Sequence, residues 1–317
     1  MKILISGASG LVGQALAKSL LADGHTIARL VRPETEASEM DVRWDPMAAS
    51  VDVPAMEGID AVVNLNGASI GDGRWTPERK AILRSSRIDS TRVLVDALAH
   101  MQKKPRVLVS ASANGYYGDR GDEILNDSSE GGTDFLALLA RDWEAEARRA
   151  ELSGIRTVLA RFGVILSSRG GALSKMLMPF RFGVGGRFGT GKQWMSWIGL
   201  ADVIGIIRAA IDNERIAGPL NVVAPNPLRN AEFTRIVAAT LHRPAIFPAP
   251  EFALKIALGQ MATPLLLASQ RVVPERLLAM NYPFCFDNFA TALPAMLSGK
   301  DYRVSRIGIA CVPLWNA

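Results

Sequence analysis

Short apolar runs alternate with amphipathic segments along the first half of the chain. Each apolar run is typical of a buried strand, and each amphipathic segment repeats its apolar residues every three or four positions, as a helix does. The predicted strands are Lys2–Ser6, Thr26–Val31, a short strand ending near Trp44, Ala61–Leu65, Arg106–Ser110 and Arg156–Ala160. The predicted helices are a first one ending near Ala22 and two longer ones, Pro77–His100 and Asp134–Ser153. This alternation predicts an α/β fold with a doubly wound parallel sheet.

The pattern changes after about Leu166, where Gly and Pro become frequent and the predicted elements shorten. We therefore expect a domain over residues 1–166, joined by a returning segment of about 198–224 that contains a strand near Leu220–Val223. Residues 167–317 would form a smaller α/β C-terminal lobe. The apolar stretch 252–267 contains Lys255, Gly259, Gln260 and Pro264 and is too short to span a membrane, so it predicts buried helix and turn. The tail 301–317 carries no clear signal.

Composition narrows the class of protein. With 317 residues, 49% of them apolar, the chain can build a substantial core. The two cysteines, Cys285 and Cys311, together with the lack of a signal-like N-terminus, predict free thiols and a cytoplasmic protein. The net charge of +5 without a basic block favours a small anionic molecule over nucleic acid. No apolar run reaches membrane-spanning length, so no membrane partner is expected. The three histidines are far apart, so no metal site is expected.

The strongest motif is a glycine turn directly after the first predicted strand. Gly7, Gly10 and Gly13 are spaced three apart, and an amphipathic helix follows. In a dinucleotide-binding turn the first glycine makes the tight turn, the second admits a pyrophosphate and the third lets helix and strand pack closely. The helix N-terminus then stabilises the phosphate charge. The predicted cofactor residues in this turn are Gly7, Ser9, Gly10, Leu11, Val12 and Gly13.

Arg32 ends the second predicted strand, nineteen residues after Gly13. An NAD-binding protein places a carboxylate near this position to bind the ribose 2′-hydroxyl. A guanidinium would instead pair with a 2′-phosphate, and Arg29 adds a second positive charge nearby. The sequence therefore favours NADP(H), with the alternative that Arg32 merely caps the strand end.

Two further turns lie at predicted strand ends, where open α/β sheets bind ligands. Asp45 follows the third strand and could accept a hydrogen bond from an adenine amino group. Asn64, Gly67 and Ala68 follow the fourth strand, where Gly67 would let the backbone approach the cofactor's ribose-phosphate. Either turn could equally be an ordinary loop.

Several motifs together resemble the extended short-chain dehydrogenase/reductase superfamily. They are the glycine turn, Asn64–Ala68, Ser110–Ser112, Trp44–Pro46, Arg74–Thr76, Ser86–Ile88, Gly115–Gly118 and Gln193–Ile198. Within that superfamily the chain is similar to the YfcH-type, sugar-nucleotide-epimerase-like family over about residues 1–295, including a C-terminal segment near 268–297. The resemblance implies a Rossmann-type fold, NAD(P) binding and oxidoreductase or isomerase chemistry. The chain departs from this family at Gly199, where a histidine is usual.

The superfamily's chemistry implies a Ser or Thr that polarises the substrate, a Tyr acid/base and a Lys four residues later. By position this serine is Ser112, and Ser110 lies two residues before it. Phe135 and Leu139 occupy the expected Tyr and Lys positions, and neither side chain can transfer a proton.

Tyr116 and Tyr117, just after Ser112, are the candidate substitutes for the missing tyrosine. A tyrosine needs a nearby cation to act as a base at neutral pH, and Arg120 or Arg161 could supply one. The alternative is that both tyrosines line the site without transferring protons. Ser110 and Arg161, at the ends of the fifth and sixth strands, complete the predicted cofactor residues.

The segment 181–194 of the predicted C-terminal lobe combines five glycines with basic residues. Such a donor-rich loop suits an anion, and the predicted substrate residues are Arg187, Lys192, Gln193 and Trp194. A glycine-rich hairpin with solvated charges is the alternative.

The expected function is that of an NADP(H)-dependent oxidoreductase or epimerase acting on a small anionic, nucleotide-sugar-like substrate. The alternative is a non-catalytic NADP(H)-binding protein, because the Tyr–Lys pair is absent. The strongly charged second half of helix 134–153 favours a monomer, with a dimer as the alternative.

Overall fold

The computed structural model describes residues 1–298, 302–304 and 311–313. The chain divides into two compact units. The first unit comprises Met1–Ser112, Leu139–Ala160 and Ile207–Leu220, and the second comprises Ala113–Leu138, Arg161–Ile206 and Asn221–Ala317.

The strands and helices are numbered in chain order. The strands are β1 Lys2–Ser6, β2 Thr26–Val31, β3 Val42–Asp45, β4 Ser50–Val51, β5 Ala61–Asn64, β6 Val107–Ala113, β7 Ile124–Leu125, β8 Arg156–Phe162, β9 Val164–Ser167, β10 Gly170–Gly171, β11 Trp194–Met195, β12 Trp197–Gly199, β13 Gly218–Val222, β14 Leu228–Arg229, β15 Arg271–Val272, β16 Tyr302–Val304 and β17 Cys311–Pro313. The helices are α1 Leu11–Ala22, α2 Val53–Met56, α3 Pro77–Ser85, α4 Ile88–His100, α5 Phe135–Arg148, α6 Ala172–Arg181, α7 Leu200–Asp212, α8 Asn230–Leu241, α9 Glu251–Leu258, α10 Glu275–Ala279 and α11 Phe289–Leu297. Short 3₁₀ helices cover Asn114–Tyr117, Arg149–Ser153 and Gly259–Met261, and a π-helical turn covers Thr263–Leu267.

The main sheet has eight strands in the order β13-β8-β6-β5-β1-β2-β3-β4. The pairs β1–β2, β1–β5, β5–β6 and β2–β3 are parallel, whereas β3–β4 is an antiparallel hairpin. The order reverses on the two sides of β1, which confirms the predicted doubly wound α/β class. The fully buried strand β5 and its neighbours form a core with α4, including Leu4, Val62, Leu94 and Leu108.

Two predicted elements differ from the structure in instructive ways. The predicted helix Pro77–His100 is wrong as a single element, because it breaks at Ser86 and Arg87 into α3 and α4. Apolar periodicity continues across the break, so the sequence pattern could not reveal it. Strand β6 extends beyond Ser110 to Ala113, which places Ser112 within the strand.

The second unit contains a three-stranded sheet, β10-β9-β12, and the two-stranded sheets β11-β14 and β15-β7. Its core joins residues of α6, α8 and α11, including Leu177, Phe233 and Leu293. The expectation of buried helix over 252–267 is wrong for α9, where Phe252 and Ile256 are exposed. Apolar composition alone does not say whether a neighbouring element covers a helix.

Two further expectations concern the C-terminal region and the membrane. The prediction of free thiols is wrong for Cys285, which is disulfide-bonded. The side chain of Cys311 lies outside the described residues. Most of the tail 301–317 also lies outside them, apart from the paired backbones of β16 and β17. Among the described residues, no helix has the length and apolar character needed to cross a membrane.

Candidate functional site

In the turn after β1, each of the three glycines is explained by a different feature of the geometry. Gly7 has a φ of +68°, which disfavours other residues. A side-chain carbon at Gly13 would lie 2.3 Å from Gly7 O, so this glycine lets α1 pack against the turn. At Gly10 such a carbon would meet only Gly7 O, at 3.3 Å. The space beside Gly10 is therefore open, and Gly10, the N-cap residue of the helix α1 that begins at Leu11, makes no side-chain cap hydrogen bond.

The edge formed by β2 and β3 carries exposed basic side chains. Arg32 is exposed directly after β2, and Arg43 donates hydrogen bonds to the carbonyls of Pro33 and Thr35 at 2.6 and 3.1 Å. Arg43 therefore braces the segment that follows Arg32. The charge of Arg29 is offset by Asp41, which pairs with its guanidinium at 2.5 and 2.9 Å. That pairing holds the pKa of Asp41 well below its usual range.

Asp45 closes the β3–β4 hairpin. Its Oδ1 accepts hydrogen bonds from the backbone N–H groups of Met47 and Ala48 at 2.9 and 3.3 Å. This Asx-type turn explains an aspartate at the position without a ligand.

Asn64 joins three strand ends through a buried polar network. The register aligns Ser6, Asn64 and Ser110 across β1, β5 and β6. Ser6 donates to Asn64 Oδ1 at 2.7 Å, and Asn64 Nδ2 donates to Ser110 Oγ at 3.2 Å and Thr91 Oγ1 at 2.9 Å. Trp143 Nε1 also donates to Thr91 Oγ1, at 2.9 Å. The predicted cofactor residues Asn64 and Ser110 therefore meet, and their buried side chains bond to protein groups.

The turn at Gly67 and Ala68 is held from the α3–α4 break. Ala68 N donates to Ser86 Oγ at 3.0 Å, and Arg87 donates to Ala68 O at 3.0 Å. A side-chain carbon at Gly67 would lie 2.9 Å from Arg87 Cζ. Burial, and to a smaller extent the charge of Arg79, lowers the pKa of Arg87 to about 10. A side chain at this position would therefore have to displace the Arg87 guanidinium.

Ser112 is paired with a carboxylate that the motif analysis missed. Its hydroxyl donates to Glu144 Oε1 at 2.7 Å, and both residues are buried. Glu144 lies on α5, five residues after the buried Leu139 and nine after Phe135. The helix that carries the superfamily's Tyr and Lys therefore presents a carboxylate to the serine. The only sequence signal that could have found Glu144 is its position on the buried face of a helix segment that is otherwise charged.

The two tyrosines occupy different environments in the second unit. Tyr117 is buried, and its hydroxyl lies 2.9 Å from Asn126 O, 2.6 Å from Asn221 Oδ1 and 3.0 Å from Arg161 Nη1. Burial raises its pKa to about 12, and the nearby Arg161 only partly offsets this rise. This environment favours the packing alternative for Tyr117.

Tyr116 is only partly buried and meets the same arginine through its ring. The Arg161 guanidinium carbon lies 3.6 Å from the Tyr116 ring centroid, a cation–π contact. Arg161 is itself buried and also donates to Asp127 O at 3.2 Å. The structure therefore brings Arg161 to both candidate tyrosines.

The glycine-rich segment of the second unit is a well-bonded loop. Ala249 N donates to Arg187 O and Gly189 N donates to Ala249 O, each at 2.9 Å. Gln193 is buried and donates to the carbonyls of Phe188 and Leu266 at 3.2 and 2.9 Å. These bonds account for the loop's shape, while the side chains of Arg187 and Lys192 remain exposed.

Trp194 is surrounded by charged groups that sequence reasoning did not connect. Its Nε1 donates to Asp122 Oδ1 at 2.8 Å, and Arg229 pairs with the same carboxylate at 2.9 Å. The guanidinium carbons of Arg229 and Arg271 lie 4.4 and 4.5 Å from its ring centroids. Two cations and one carboxylate make this cluster net positive. Arg229 and Arg271 are distant in sequence from the loop, so no spacing rule could have found them.

Gly199 leaves no room for the histidine that is usual in the resembling family. A side-chain carbon there would lie 2.7 Å from the Phe286 ring and 3.0 Å from Met296 Cε. Nearby, Asp202 accepts hydrogen bonds from Cys285 N and Phe286 N at 2.6 and 3.2 Å. Burial raises the pKa of Asp202 to about 7. These contacts fix the segment that fills the space beside Gly199.

Family models match two parts of the chain. Residues 3–223 match the NAD dependent epimerase/dehydratase family, and residues 249–296 match a domain of unknown function, DUF1731.

Individual relatives match nearly the whole chain. An epimerase family protein of Mycobacterium leprae is 40% identical over 291 residues, covering 92% of this chain and 94% of the relative. A Bacillus subtilis epimerase family protein is 38% identical over 303 residues, covering 95% and 99%. The crystal structure of the human epimerase family protein SDR39U1 with NADPH has a TM-score of 0.86 and 33% identity, covering 94% of this chain and 99% of that one. A nucleoside-diphosphate sugar epimerase from Corynebacterium glutamicum has a TM-score of 0.77 and 36% identity, covering 94% and 58%.

Proposed function

Because the chain belongs to the NAD dependent epimerase/dehydratase family, we propose that it binds NADP(H) and acts as an oxidoreductase or epimerase on a small anionic substrate. The observation that carries the cofactor proposal is the geometry of the glycine turn. Gly10 leaves space beside an uncapped helix N-terminus, which is where a dinucleotide's pyrophosphate binds.

The preference for NADP(H) rests on Arg32. Its exposed guanidinium at the end of β2 can pair with a 2′-phosphate, and Arg43 braces the backbone that follows it. The similar human protein was crystallised with NADPH. When bound, the nicotinamide would supply hydride chemistry, and the protein would supply position and proton transfer.

The side chains proposed for proton transfer are those of Ser112 and Tyr116. The Ser112 hydroxyl donates to Glu144, so its oxygen is left to accept a hydrogen bond from a substrate hydroxyl. Tyr116 has Arg161 on its ring face, whereas the Tyr117 hydroxyl is hydrogen-bonded to protein groups and would position Arg161. A nucleotide-sugar-like substrate fits the net positive cluster around Trp194 and the exposed Lys192 and Arg187.

The test is a titration with NADPH and NADH, followed by addition of nucleotide sugars to the cofactor-loaded protein. We expect tighter binding of NADPH and a change in reduced-nicotinamide absorbance with a true substrate. Equal binding of both cofactors would remove the NADP(H) preference, and no binding of either would overturn the proposal.

A second test locates the substrate in the second unit. With NADPH present, a nucleotide-sugar ligand such as UDP-glucose should raise the melting temperature by mass action. The double variant Arg187→Ala, Lys192→Ala should lose this gain while keeping the one that NADPH causes. If the ligand raises the melting temperature of the variant as much as that of the parent, the loop has a structural role and does not bind the substrate.

A non-catalytic NADP(H)-binding protein is the second candidate. It is favoured by Phe135 and Leu139, which leave α5 without the Tyr–Lys pair, and by the sealed environment of Tyr117. Tight NADPH binding with no absorbance change across candidate substrates would support it.

A further inference from the structure

The second unit exposes large apolar side chains in two segments of the chain, 175–184 and 243–256. Each of these side chains is 55–76% exposed. They are Met178, Phe182 and Val184 in the first segment and Ile246, Phe247, Phe252 and Ile256 in the second. Exposed apolar residues are ordinarily scattered singly, whereas a group of them marks an interaction surface.

The two segments are neighbours in the fold of this unit. Phe180 of α6 and Ala245 belong to the same hydrophobic cluster. A side-chain carbon at Gly186 would clash with Phe247 O, so the backbones that continue from the two segments are in contact. Helix α9 begins four residues after Phe247. The exposed apolar side chains therefore belong to adjoining parts of one surface.

Helical geometry places several of these side chains on shared faces. Lys175, Met178 and Phe182 follow one another at intervals of three and four residues along α6 and its C-cap, so they lie along one face. Phe252 and Ile256 are likewise four residues apart on α9. No residue of α9 is buried. This helix therefore lies on the surface of the unit with apolar side chains facing solvent.

The same surface is positively charged. The two segments contain the exposed cations Lys175, Arg181, Arg243 and Lys255. Their one carboxylate is that of Glu251, which pairs with Lys255 at 2.6 Å. The formal charge of the two segments is therefore +3.

The combination of exposed apolar groups with surrounding cations selects the kind of partner. A second copy of the chain fits poorly, because a symmetric dimer would place this surface against itself and bring like charges together. An anionic lipid surface matches both features, since its headgroups attract the cations and its acyl chains accept the apolar side chains. Such a surface is deformable and needs no rigid shape complementary to α9.

We propose that the apolar–basic surface formed by residues 175–184 and 243–256 docks the protein on an anionic lipid bilayer. The apolar side chains enter the boundary between headgroups and acyl chains, and the cations contact the headgroups. The expectation of no membrane partner rested on the length of the apolar runs, which excludes spanning segments and leaves surface contact open. The docking is independent of the proposed cofactor and substrate.

The experiment is co-sedimentation of the full chain with vesicles of phosphatidylcholine, either alone or with about one third phosphatidylserine. The apolar variant carries Phe182→Ser and Phe252→Ser. The charge variant carries Arg181→Glu and Arg243→Glu. Melting temperatures establish that both variants are folded.

Two matched controls make the same changes at exposed positions of the first unit. The apolar control carries Leu21→Ser and Leu152→Ser. The charge control carries Lys103→Glu and Arg215→Glu. Both controls keep the composition and net charge of the variants that they match.

We expect the parent to sediment with vesicles that contain phosphatidylserine and to stay in solution with phosphatidylcholine alone. The charge variant should bind at least about tenfold more weakly, because each basic residue near an anionic surface strengthens association by about fivefold. The apolar variant should also bind about tenfold more weakly, because two aromatic side chains no longer enter the bilayer. Both controls should bind as the parent does.

A parent that does not sediment with phosphatidylserine vesicles overturns the docking surface, and so does an equal loss of binding in the controls. Weaker binding by the charge variant alone, with the apolar variant equal to the parent, shows non-specific adhesion of a basic protein and also overturns it. A dimer in sedimentation velocity that the apolar variant abolishes, without vesicle binding by the parent, makes the surface an interface between copies and contradicts the proposal.

Discussion

The Ser112 hydroxyl and the Glu144 carboxylate form a buried 2.7 Å hydrogen bond between β6 and α5. Because the hydroxyl donates its proton to Glu144, the Ser112 oxygen can only accept in any further hydrogen bond. In the resembling superfamily the corresponding serine is expected to polarise a substrate as a donor. We therefore expect Ser112 to act towards a substrate as an acceptor rather than as a donor.

Ser112→Ala should lower the free energy of unfolding by about 1–3 kcal/mol, because the buried carboxylate loses a donor. Urea denaturation of Ser112→Ala, Glu144→Gln and the double variant measures the coupling. We expect the sum of the two single-variant losses in unfolding free energy to exceed the loss in the double variant, because the two residues share one hydrogen bond. Strictly additive losses would contradict the coupling.

Arg32→Glu should weaken NADPH binding by on the order of 2 kcal/mol or more, through loss of a charge-assisted contact and added repulsion. NADH affinity should change little or improve. The charge-matched control is Arg215→Glu, in the exposed turn before β13. A parallel loss for NADH, or an equal loss in the control, would show that Arg32 does not read the 2′-phosphate.

Gly10→Val should abolish NADPH binding while leaving the melting temperature of the unliganded protein nearly unchanged. The extended backbone at Gly10, φ −76° and ψ 168°, suits valine, and only Gly7 O lies near the added carbon. Gly13→Ala is the contrast, because its carbon would clash with Gly7 O and Ala8 Cα. That variant should melt markedly earlier. NADPH affinity unchanged by Gly10→Val would place the cofactor elsewhere.

Tyr116→Phe should reduce turnover of an identified substrate by roughly 10²–10⁴-fold, the range for losing general acid–base help. Tyr117→Phe should act mainly on stability, because its buried hydroxyl is bonded to Asn221 and Arg161. Steady-state kinetics and urea denaturation on both variants separate the two roles. Full activity in both single variants and the double variant would assign proton transfer to another group.

Asp202 should make stability depend on pH. Its folded pKa of about 7 lies above the unfolded value near 4, so its contribution is fully present below about pH 4 and is lost as pH rises to 7. Asp202→Asn should remove a fall in unfolding free energy on the order of 3 kcal/mol between those values. Denaturation from pH 5 to 8 measures it, with the exposed Asp212→Asn as control. A parent and variant with parallel pH profiles would contradict the raised pKa.

The sequence determined the sheet and the glycine turn because both depend on local signals. Continuous apolar runs predicted β1, β2 and β5 to within a residue, and the spacing of Gly7, Gly10 and Gly13 specified a turn that the structure reproduces. These features depend on backbone geometry and burial over a few neighbouring residues, so the sequence of one short segment is enough to predict them.

Only the tertiary structure decided which polar groups meet. Ser112 and Glu144 are 32 residues apart, and Trp194 draws Asp122, Arg229 and Arg271 from three other segments. No periodicity encodes such pairings, because they depend on how helices and loops return to the sheet edge. For the same reason the sequence did not predict that Arg29 forms an ion pair with Asp41. Nor did it predict that the helix over Pro77–His100 breaks at Arg87.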